Sequence, residues 1–215
     1  MRNLILASNS PRRNELLALL GLPFEVCPAD IAEIQHQAEK PLDYVRRLAY
    51  QKALVSSQGQ DGLVIAADTI VVDGEMLLEK PADPSEARQM LRQLRGRNHQ
   101  VYTGIALVDP RTGKTYVDVC ETDVPMRAYT DAEIEAYIAT GDPFDKAGAY
   151  AIQNTAFHPV EGLQGCFASV MGLPLCHLAV GLKKFGQPIP ADLSARCQMA
   201  LDYRCPVYSA ILGQA

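Results

Sequence analysis

The residues Ser8-Asn9-Ser10-Pro11-Arg12-Arg13 set two hydroxyls and two adjacent guanidinium groups where a short apolar run gives way to a helix. Ser10 followed by Pro11 is an N-cap followed by the residue best suited to the first helical position. Free backbone donors, the positive end of the helix dipole and Arg side chains then converge on one spot, which is the physics of a phosphate site. The plain alternative is a capped helix with a basic first turn. Cations at a helix start oppose the dipole, so two arginines there call for a reason beyond folding.

Carboxylates form the second group of candidates. Asp68 directly follows the apolar run Val64-Ile65-Ala66-Ala67 and precedes Thr69, a strand-end placement at which a rigid scaffold can aim a charge into a site. A strand-end Asp also serves as a turn or cap residue. Glu33 stands in an acidic loop with Asp30, where solvation alone accounts for such residues. Lys52, which closes a helical region, and Lys80 each sit near the end of an element, and Lys146 lies in Asp145-Lys146-Ala147-Gly148; taken one at a time, each reads as a surface charge. Gln153 follows Ala151-Ile152 and is either a polar strand-end residue or an amide able to pair with a nucleobase edge.

Several chemistries lack their signatures. His36, His99, His158 and His177 show no metal-ligand spacing, and no serine sits in a G-x-S-x-G elbow. There is no G-x-x-x-x-G-K-[ST] and no G-x-G-x-x-G after the first strand, which removes the P-loop and the usual dinucleotide fingerprint. Anion binding and carboxylates remain.

The elements that must position these groups follow from local signals. Leu4–Ala7 and Phe24–Cys27 read as strands around a helix bearing Leu16, Leu17 and Leu20 and stopped by Gly21. Pro41 opens a helix with Tyr44, Val45, Leu48 and Ala49 on one side. Leu63–Ala67 runs on through Ile70-Val71-Val72 to a turn at Asp73-Gly74 and returns through Met76-Leu77-Leu78. Asp83-Pro84 starts a helix that ends at Gly96, Val101–Val108 and Tyr116–Val124 make a second hairpin, and Thr130 with Glu133 is a capping box. Ala149–Ile152 and Phe167–Val170 read as strands, and Pro174–Phe185 as a closing helix. Gly186–Pro190 reads as a boundary, followed by a helix over 191–203 and an irregular end after Pro206. Two hairpins among alternating strands and helices predict a mixed sheet rather than a purely parallel one.

The chain has 215 residues, 48% of them hydrophobic, so it can bury a sizeable core without disulfides or a structural metal. Its formal net charge of −5 argues against nonspecific binding to nucleic acid or to a membrane surface. The six cysteines, at 27, 120, 166, 176, 197 and 205, form no C-x-x-C pair and read as reduced thiols. The N-terminal apolar stretch is too short for a signal peptide, and the apolar run Leu173–Leu182 is too short for a membrane span. A cytoplasmic protein is expected.

Five ordered stretches resemble the Maf family of nucleoside triphosphate pyrophosphatases, up to about Phe185: Leu6-Ala7-Ser8-Asn9-Ser10-Pro11-Arg12-Arg13, Ala67-Asp68-Thr69-Ile70-Val71-Val72, Glu79-Lys80-Pro81, Asp145-Lys146-Ala147-Gly148-Ala149-Tyr150-Ala151-Ile152-Gln153 and Gly172-Leu173-Pro174-Leu175. The resemblance implies an α/β fold with two lobes, a mixed β-sheet and flanking helices around a central cleft. It implies hydrolysis of a nucleoside triphosphate to the monophosphate and pyrophosphate with a divalent metal, Mg²⁺ or Mn²⁺. Asp68 matches the position taken as general base, while Ser8, Ser10, Arg12, Arg13, Lys52, Lys80 and Glu33 match residues lining the same pocket. Glu33 and Asp68 are then the expected metal ligands. Arg12, Thr69 and Gln153 occupy the positions at which subfamilies differ, and this set resembles the dTTP/UTP-cleaving branch rather than the one acting on 7-methyl-GTP.

The stretch 154–158, Asn-Thr-Ala-Phe-His, departs from the glycine-rich text common in the family. Residues 1–186 are expected to form the enzyme domain and 187–215 an extension outside the usual domain. Two other readings stay in view: action on purine or modified triphosphates, as in the fold-related inosine triphosphatases, and a non-catalytic nucleotide-binding regulator of cell division. The expected partner is a nucleotide, not nucleic acid or membrane. A homodimer is compatible with the resemblance, although no apolar stripe marks an interface.

Overall fold

A computed structural model describes residues 2–213; Met1 of the N-terminal reading and residues 214–215 of the expected extension lie outside the described residues. The strands are β1 (Leu4–Leu6), β2 (Phe24–Val26), β3 (Leu63–Asp73), β4 (Met76–Leu78), β5 (Asn98–Val108) and β6 (Thr115–Pro125). The helices are α1 (Pro11–Ala18), α2 (Pro41–Ser56), α3 (Pro84–Leu94), α4 (Asp131–Ala139), α5 (Phe167–Met171), α6 (Leu175–Lys184), α7 (Leu193–Ala200) and α8 (Tyr208–Leu212). Sequence signals at helix starts are realised: the Ser10 side chain accepts from the Arg13 amide, that of Asp83 from the Glu86 amide, and Thr130 with Glu133 closes a capping box.

The sheet is mixed, in the order β2-β1-β3-β5-β6. β1 runs parallel to β2 and β3, whereas β4 and β5 are antiparallel to β3. β3 is the key to the molecule. On one edge it pairs with β5 along nearly its whole length, but its other edge meets β1 over Leu63–Ile65 and β4 over Val71–Asp73. Among the described residues no strand covers that second edge between Ile65 and Val71, and Asp68 and Thr69 sit in this gap.

Alternation along β3 sends even-numbered side chains to one face and odd-numbered ones to the other. Val64 and Ala66 pack with Ala49 and Ala53 of α2, and Ile70 and Val72 with Tyr44, Val45 and Leu48. Leu63, Ile65 and Ala67 face a cluster built from α1, α5, α6 and Leu193 of α7. A further cluster joins Val71 to α3, α4, Tyr150 and Phe157 at the far end of the sheet. Each large aliphatic side chain so buried contributes about 1.5–3 kcal/mol.

Two expected strands are not strands. Ala147–Ala149 forms a 3₁₀ turn, and Tyr150 to Ile152 continues as irregular backbone. Ala149 there has φ of 61°, a left-handed conformation that a regular strand does not accept. Phe167–Met171 is helical, because the left-handed Gly172 receives the chain as a helix stop and its amide bonds Ala168 and Ser169 carbonyls. The end expected to be irregular holds the short helix α8. Residues beyond 186 pack on the body: Leu193 is buried, and the Tyr203 hydroxyl lies within bonding distance of the Leu163 and Gly165 carbonyls, at 3.0 and 2.9 Å. Among the described residues no helix is long and apolar enough to cross a membrane.

Candidate active site

The uncovered stretch of β3 opens into a cleft of about 410 Å³ whose wall includes Ser8, Ser10, Arg12, Arg13, Glu33, Lys52, Thr69, Lys80 and Gln153. Asp68, predicted from the same sequence reading, lines an adjoining recess of about 170 Å³ instead; Glu33, Thr69 and Lys80 border both spaces.

α2 brings a lysine to that recess. The buried positions Val45, Leu48, Ala49, Lys52, Ala53 and Ser56 follow helical spacing, so Lys52 belongs to the core-facing stripe and not to a helix end. Its burial corrects the reading of Lys52 as a surface charge. The Nζ atom lies 2.5 Å from Asp68 Oδ1 and 2.7 Å from Glu33 Oε1, joining the two carboxylates through one ammonium. Gly104 makes this approach possible. It pairs with Asp68 across the sheet, and a Cβ there would stand 2.6 Å from the Val45 carbonyl oxygen. The Glu33 loop is held to α2 by the Tyr44 hydroxyl, which donates to the Glu33 carbonyl at 3.0 Å, and by Arg47, which donates to the Ile34 carbonyl at 2.9 Å. Burial opposes ionisation of Glu33, but the Lys52 hydrogen bond and charge, with Lys80 and Arg13, hold its carboxyl below the usual value. The Tyr44 hydroxyl is pushed up to about 12 by burial and by the neighbouring Glu79, Asp68 and Glu33 charges.

The opposite wall is organised by Arg13. Its Nε donates to the Gly172 carbonyl at 2.9 Å, and its terminal nitrogens reach Ser8 Oγ and Thr69 Oγ1, each at 3.3 Å. Thr69 Oγ1 in turn lies 3.0 Å from Thr103 Oγ1, whose hydroxyl donates to the Ser169 carbonyl at 2.8 Å. Gly172 has φ of 110°, and a Cβ there would come within 3.2 Å of Arg13 Nε, so a side chain would press on the guanidinium. Burial lowers the Arg13 pKa, while Asp68 raises it; a guanidinium remains cationic at neutral pH.

Arg12 is paired with Asp145 at 3.1 Å. Lys146, read from sequence as a surface charge, is buried and bonded to Asp142 at 2.9 Å and Asp145 at 2.5 Å. Lys80 is exposed, in agreement with its sequence reading, and has no ion-pair partner among the described residues. Two cleft cations, Arg13 and Lys80, therefore face the cleft without a directly bonded carboxylate, whereas Arg12, Lys52 and Lys146 are already compensated. Gln153 lies half-buried in the cleft wall near Tyr150 and Ile152.

Sequence reading missed Gly104, Tyr44, Thr103, Asp145 and the burial of Lys146. Glycine inside the strand run Val101–Val108 is a signal of close backbone approach. The Asp145-Lys146 pairing depends on the 3₁₀ geometry around it and has no comparable signal.

The donor set suits a hard divalent cation shared with a ligand. Glu33 and Asp68 oxygens both lie within reach of one ammonium nitrogen, so they can converge on one small cation, and Mg²⁺ commonly takes one or two carboxylates plus phosphate oxygens. Among the described residues no group of three or more His, Cys, Asp or Glu side chains forms a cage, so an all-protein site is not offered.

The family described as Maf-like protein matches residues 3–185. A dTTP/UTP pyrophosphatase of Pelotomaculum thermopropionicum is 46% identical over 86% of this chain and 98% of its own length. One of Desulforamulus reducens is 46% identical over 88% of this chain and 100% of its own. Among solved structures, a HAM1 protein from Coxiella burnetii is 16% identical, with a TM-score of 0.43 over 60% of this chain and 75% of that one.

Proposed function

The chain belongs to the family of Maf-like proteins, and from that premise we propose that its cleft hydrolyses dTTP and UTP to the nucleoside monophosphate and pyrophosphate, a sanitising activity in the cytoplasm. The observation that carries this reading is a carboxylate and cation relay, Glu33–Lys52–Asp68, set where the recess lined by Asp68 adjoins the cleft that holds the carboxylate-free cations Arg13 and Lys80. Relatives that match this chain over nearly their full length bear the name dTTP/UTP pyrophosphatase.

A triphosphate resists attack at phosphorus because its own charge repels a hydroxide-like nucleophile, so catalysis rests on positioning and charge neutralisation. Arg13 and Lys80 bind phosphate oxygens directly, the first as a fork held by Gly172, Ser8 and Thr69, the second as a mobile point charge. Ser8, Ser10 and the main-chain amides at the start of α1 add donors along the same line. Arg12 and Lys146 exchange part of their bonding to Asp145 for phosphate when substrate enters.

Asp68 accepts the proton of the attacking water, and Lys52 keeps its carboxylate in one orientation. Glu33 and Asp68 would hold the divalent metal, which would supply charge neutralisation and a more acidic water. Gln153 reads the base through its amide, and Thr69 helps hold the Arg13 fork that binds the phosphates. Residues 1–186 carry the reaction, residues 187–215 are an appended segment, and a homodimer is the assembly we assign. The partner is a free nucleotide, not nucleic acid.

Pyrophosphate release from dTTP, UTP, CTP, 7-methyl-GTP and ITP, each with Mg²⁺ and with Mn²⁺, tests the reading. Preference for dTTP and UTP supports it; preference for a purine nucleotide moves the substrate, and no release from any nucleotide returns the protein to a binding role.

A further inference from the structure

The irregular wall that carries Gln153 is anchored on Asp142, the first residue of a 3₁₀ turn over Asp142–Asp145 that follows α4. The Asp142 carboxylate takes three side-chain donors. Lys146 Nζ donates to its Oδ1 at 2.9 Å, while Oδ2 accepts from the Tyr137 hydroxyl at 2.8 Å and from Asn154 Nδ2 at 3.0 Å. Burial opposes ionisation of Asp142, but these three bonds hold its carboxyl below the usual value. Burial, with the bond to Asp142, pushes the Tyr137 hydroxyl up, so acceptor and donor keep their roles across neutral pH.

Both partners of Oδ2 reach on to the chain beside Gln153. The Tyr137 oxygen accepts from the Ala151 amide at 3.0 Å. Tyr137 is itself buried on α4, and its ring stacks on Phe157 with centroids 4.2 Å apart and planes 6° apart. Asn154 accepts from the Phe157 amide at its Oδ1 and from the His158 amide at its carbonyl, both at 2.8 Å, and its own amide donates to the Ala151 carbonyl at 3.1 Å. Gln153 is therefore bracketed, two residues before it and one residue after it, by bonds that meet in one carboxylate, while its own side chain lines the cleft. Asn154 opens the stretch 154–158 that departs from the glycine-rich text of the family. A glycine there would have no side chain to reach Asp142.

We propose that Asn154 and Tyr137, both bonded to Asp142, are positioning residues that set base selectivity by holding Gln153 in one register, an inference that rests on the reading of Gln153 as the residue that meets the base. Uracil and thymine present an acceptor at O4 and a donor at N3, where cytosine presents a donor and an acceptor. A glutamine amide carries one group of each kind, so it separates these bases only when it is held in place against that edge. Tyr137 fixes the approach to Gln153 through the Ala151 amide, and Asn154 fixes the exit. With either anchor gone, the segment can shift until the amide suits cytosine as well, and the preference falls.

The test compares the full-length parent with Asn154→Ala and Tyr137→Phe, reading kcat/KM for dTTP and dCTP and, by calorimetry, Kd for their α,β-imido analogues. Asn154→Ala removes one anchor; Tyr137→Phe removes the other and keeps the stacked ring. Each should lower the preference for dTTP over dCTP about tenfold in both measurements, since a shift of a fraction of an ångström costs less than the roughly hundred-fold of a full 1 Å. Inorganic tripolyphosphate has no base, so it should inhibit parent and variants alike, within about twofold. A merely structural role would weaken dTTP, dCTP and tripolyphosphate together and leave the preference where it was. An unchanged preference in both variants of a parent that favours dTTP overturns the proposal alone. A parent that treats dTTP and dCTP equally overturns the base-reading role of Gln153 and the proposal with it. Tyr137→Phe decides the matter where Asn154→Ala fails to fold.

Discussion

Replacing Gly104 by alanine should damage turnover more than its size suggests, because this position sets the distance between α2 and the sheet beside Asp68. The added Cβ would lie 2.6 Å from the Val45 carbonyl oxygen, 3.0 Å from its carbonyl carbon and 3.3 Å from Ala49 Cβ. The first two are backbone of a buried helix and cannot rotate away. Ordinary contact begins near 3.4 Å, so α2 must withdraw by about 0.8 Å, the difference between 3.4 and 2.6 Å. Overpacking of this kind costs about 1–3 kcal/mol, and for a chain of this size each kcal/mol lowers Tm by about 2–4 °C. Lys52 rides on the same helix, less than one turn beyond the contact at Ala49, and carries the bonds to Asp68 and Glu33. A displacement approaching 1 Å at a catalytic group can cost on the order of 100-fold, so kcat for dTTP should fall about ten- to a hundred-fold. Gly181→Ala is the control. Its Cβ would also meet an atom at 2.6 Å, but that atom belongs to the Tyr116 ring, on the opposite side of the sheet from α2 and away from the cleft. It should lower Tm with kcat held within about twofold of the parent. Pyrophosphate release at saturating dTTP and thermal unfolding of both variants decide the matter. Equal kcat for Gly104→Ala and the parent, or equal kcat losses in the two variants, would refute the coupling of helix position to turnover.

Further outcomes follow from particular groups. Lys80→Ala should raise KM for dTTP about ten-fold while shifting Tm by no more than about 1 °C, since an exposed side chain without an ion-pair partner contributes little to folding; a stability loss with unchanged KM would contradict this. Stability should have two pH arms. Burial pushes the His99 pKa down to about 4, so its contribution is complete above the unfolded value near 6.5 and is lost as pH falls towards 4. His177, lifted to about 9, contributes fully below 6.5 and loses that contribution as pH rises through 9. Denaturant titrations from pH 4 to 10 should flatten on the acid side in His99→Gln and on the alkaline side in His177→Asn, and the reverse assignment would be wrong for both. Leu193→Ala should destabilise by about 2–5 kcal/mol, because this residue of the extension is buried in the main core; an unchanged Tm would show that α7 adds nothing to that core.

Much of the site was legible in the sequence because its signals are local. Ser10-Pro11 announced the helix that presents Arg12 and Arg13, and the apolar run ending at Ala67 announced the strand that presents Asp68, although that strand runs on to Asp73 and Asp68 lies within it, not at its end. The position of Lys52 was also available: it falls on the stripe of Val45, Leu48 and Ala49, where a lysine is out of place unless a carboxylate meets it. What could not be read is non-local. Asp68 and Thr69 matter because β1 and β4 cover different stretches of one edge of β3, and a pairing gap leaves no mark on the strand itself. Phe167–Val170 was misread because a short apolar run fits strand and buried helix equally well, and the stop at Gly172 decides between them. Ala149–Ile152 looked like a strand by composition, yet it is the irregular wall that brings Tyr150 and Gln153 to the cleft.

The products of dTTP turnover by the parent and by Asp68→Asn test the proposed role of Asp68 in attack on a nucleoside triphosphate held by Arg13 and Lys80. The parent should give equal amounts of dTMP and pyrophosphate, and Asp68→Asn should lose about a thousand-fold or more in kcat while still binding dTTP measurably by calorimetry. Release of orthophosphate with dTDP from the parent, or near-parental turnover by Asp68→Asn, would contradict the account.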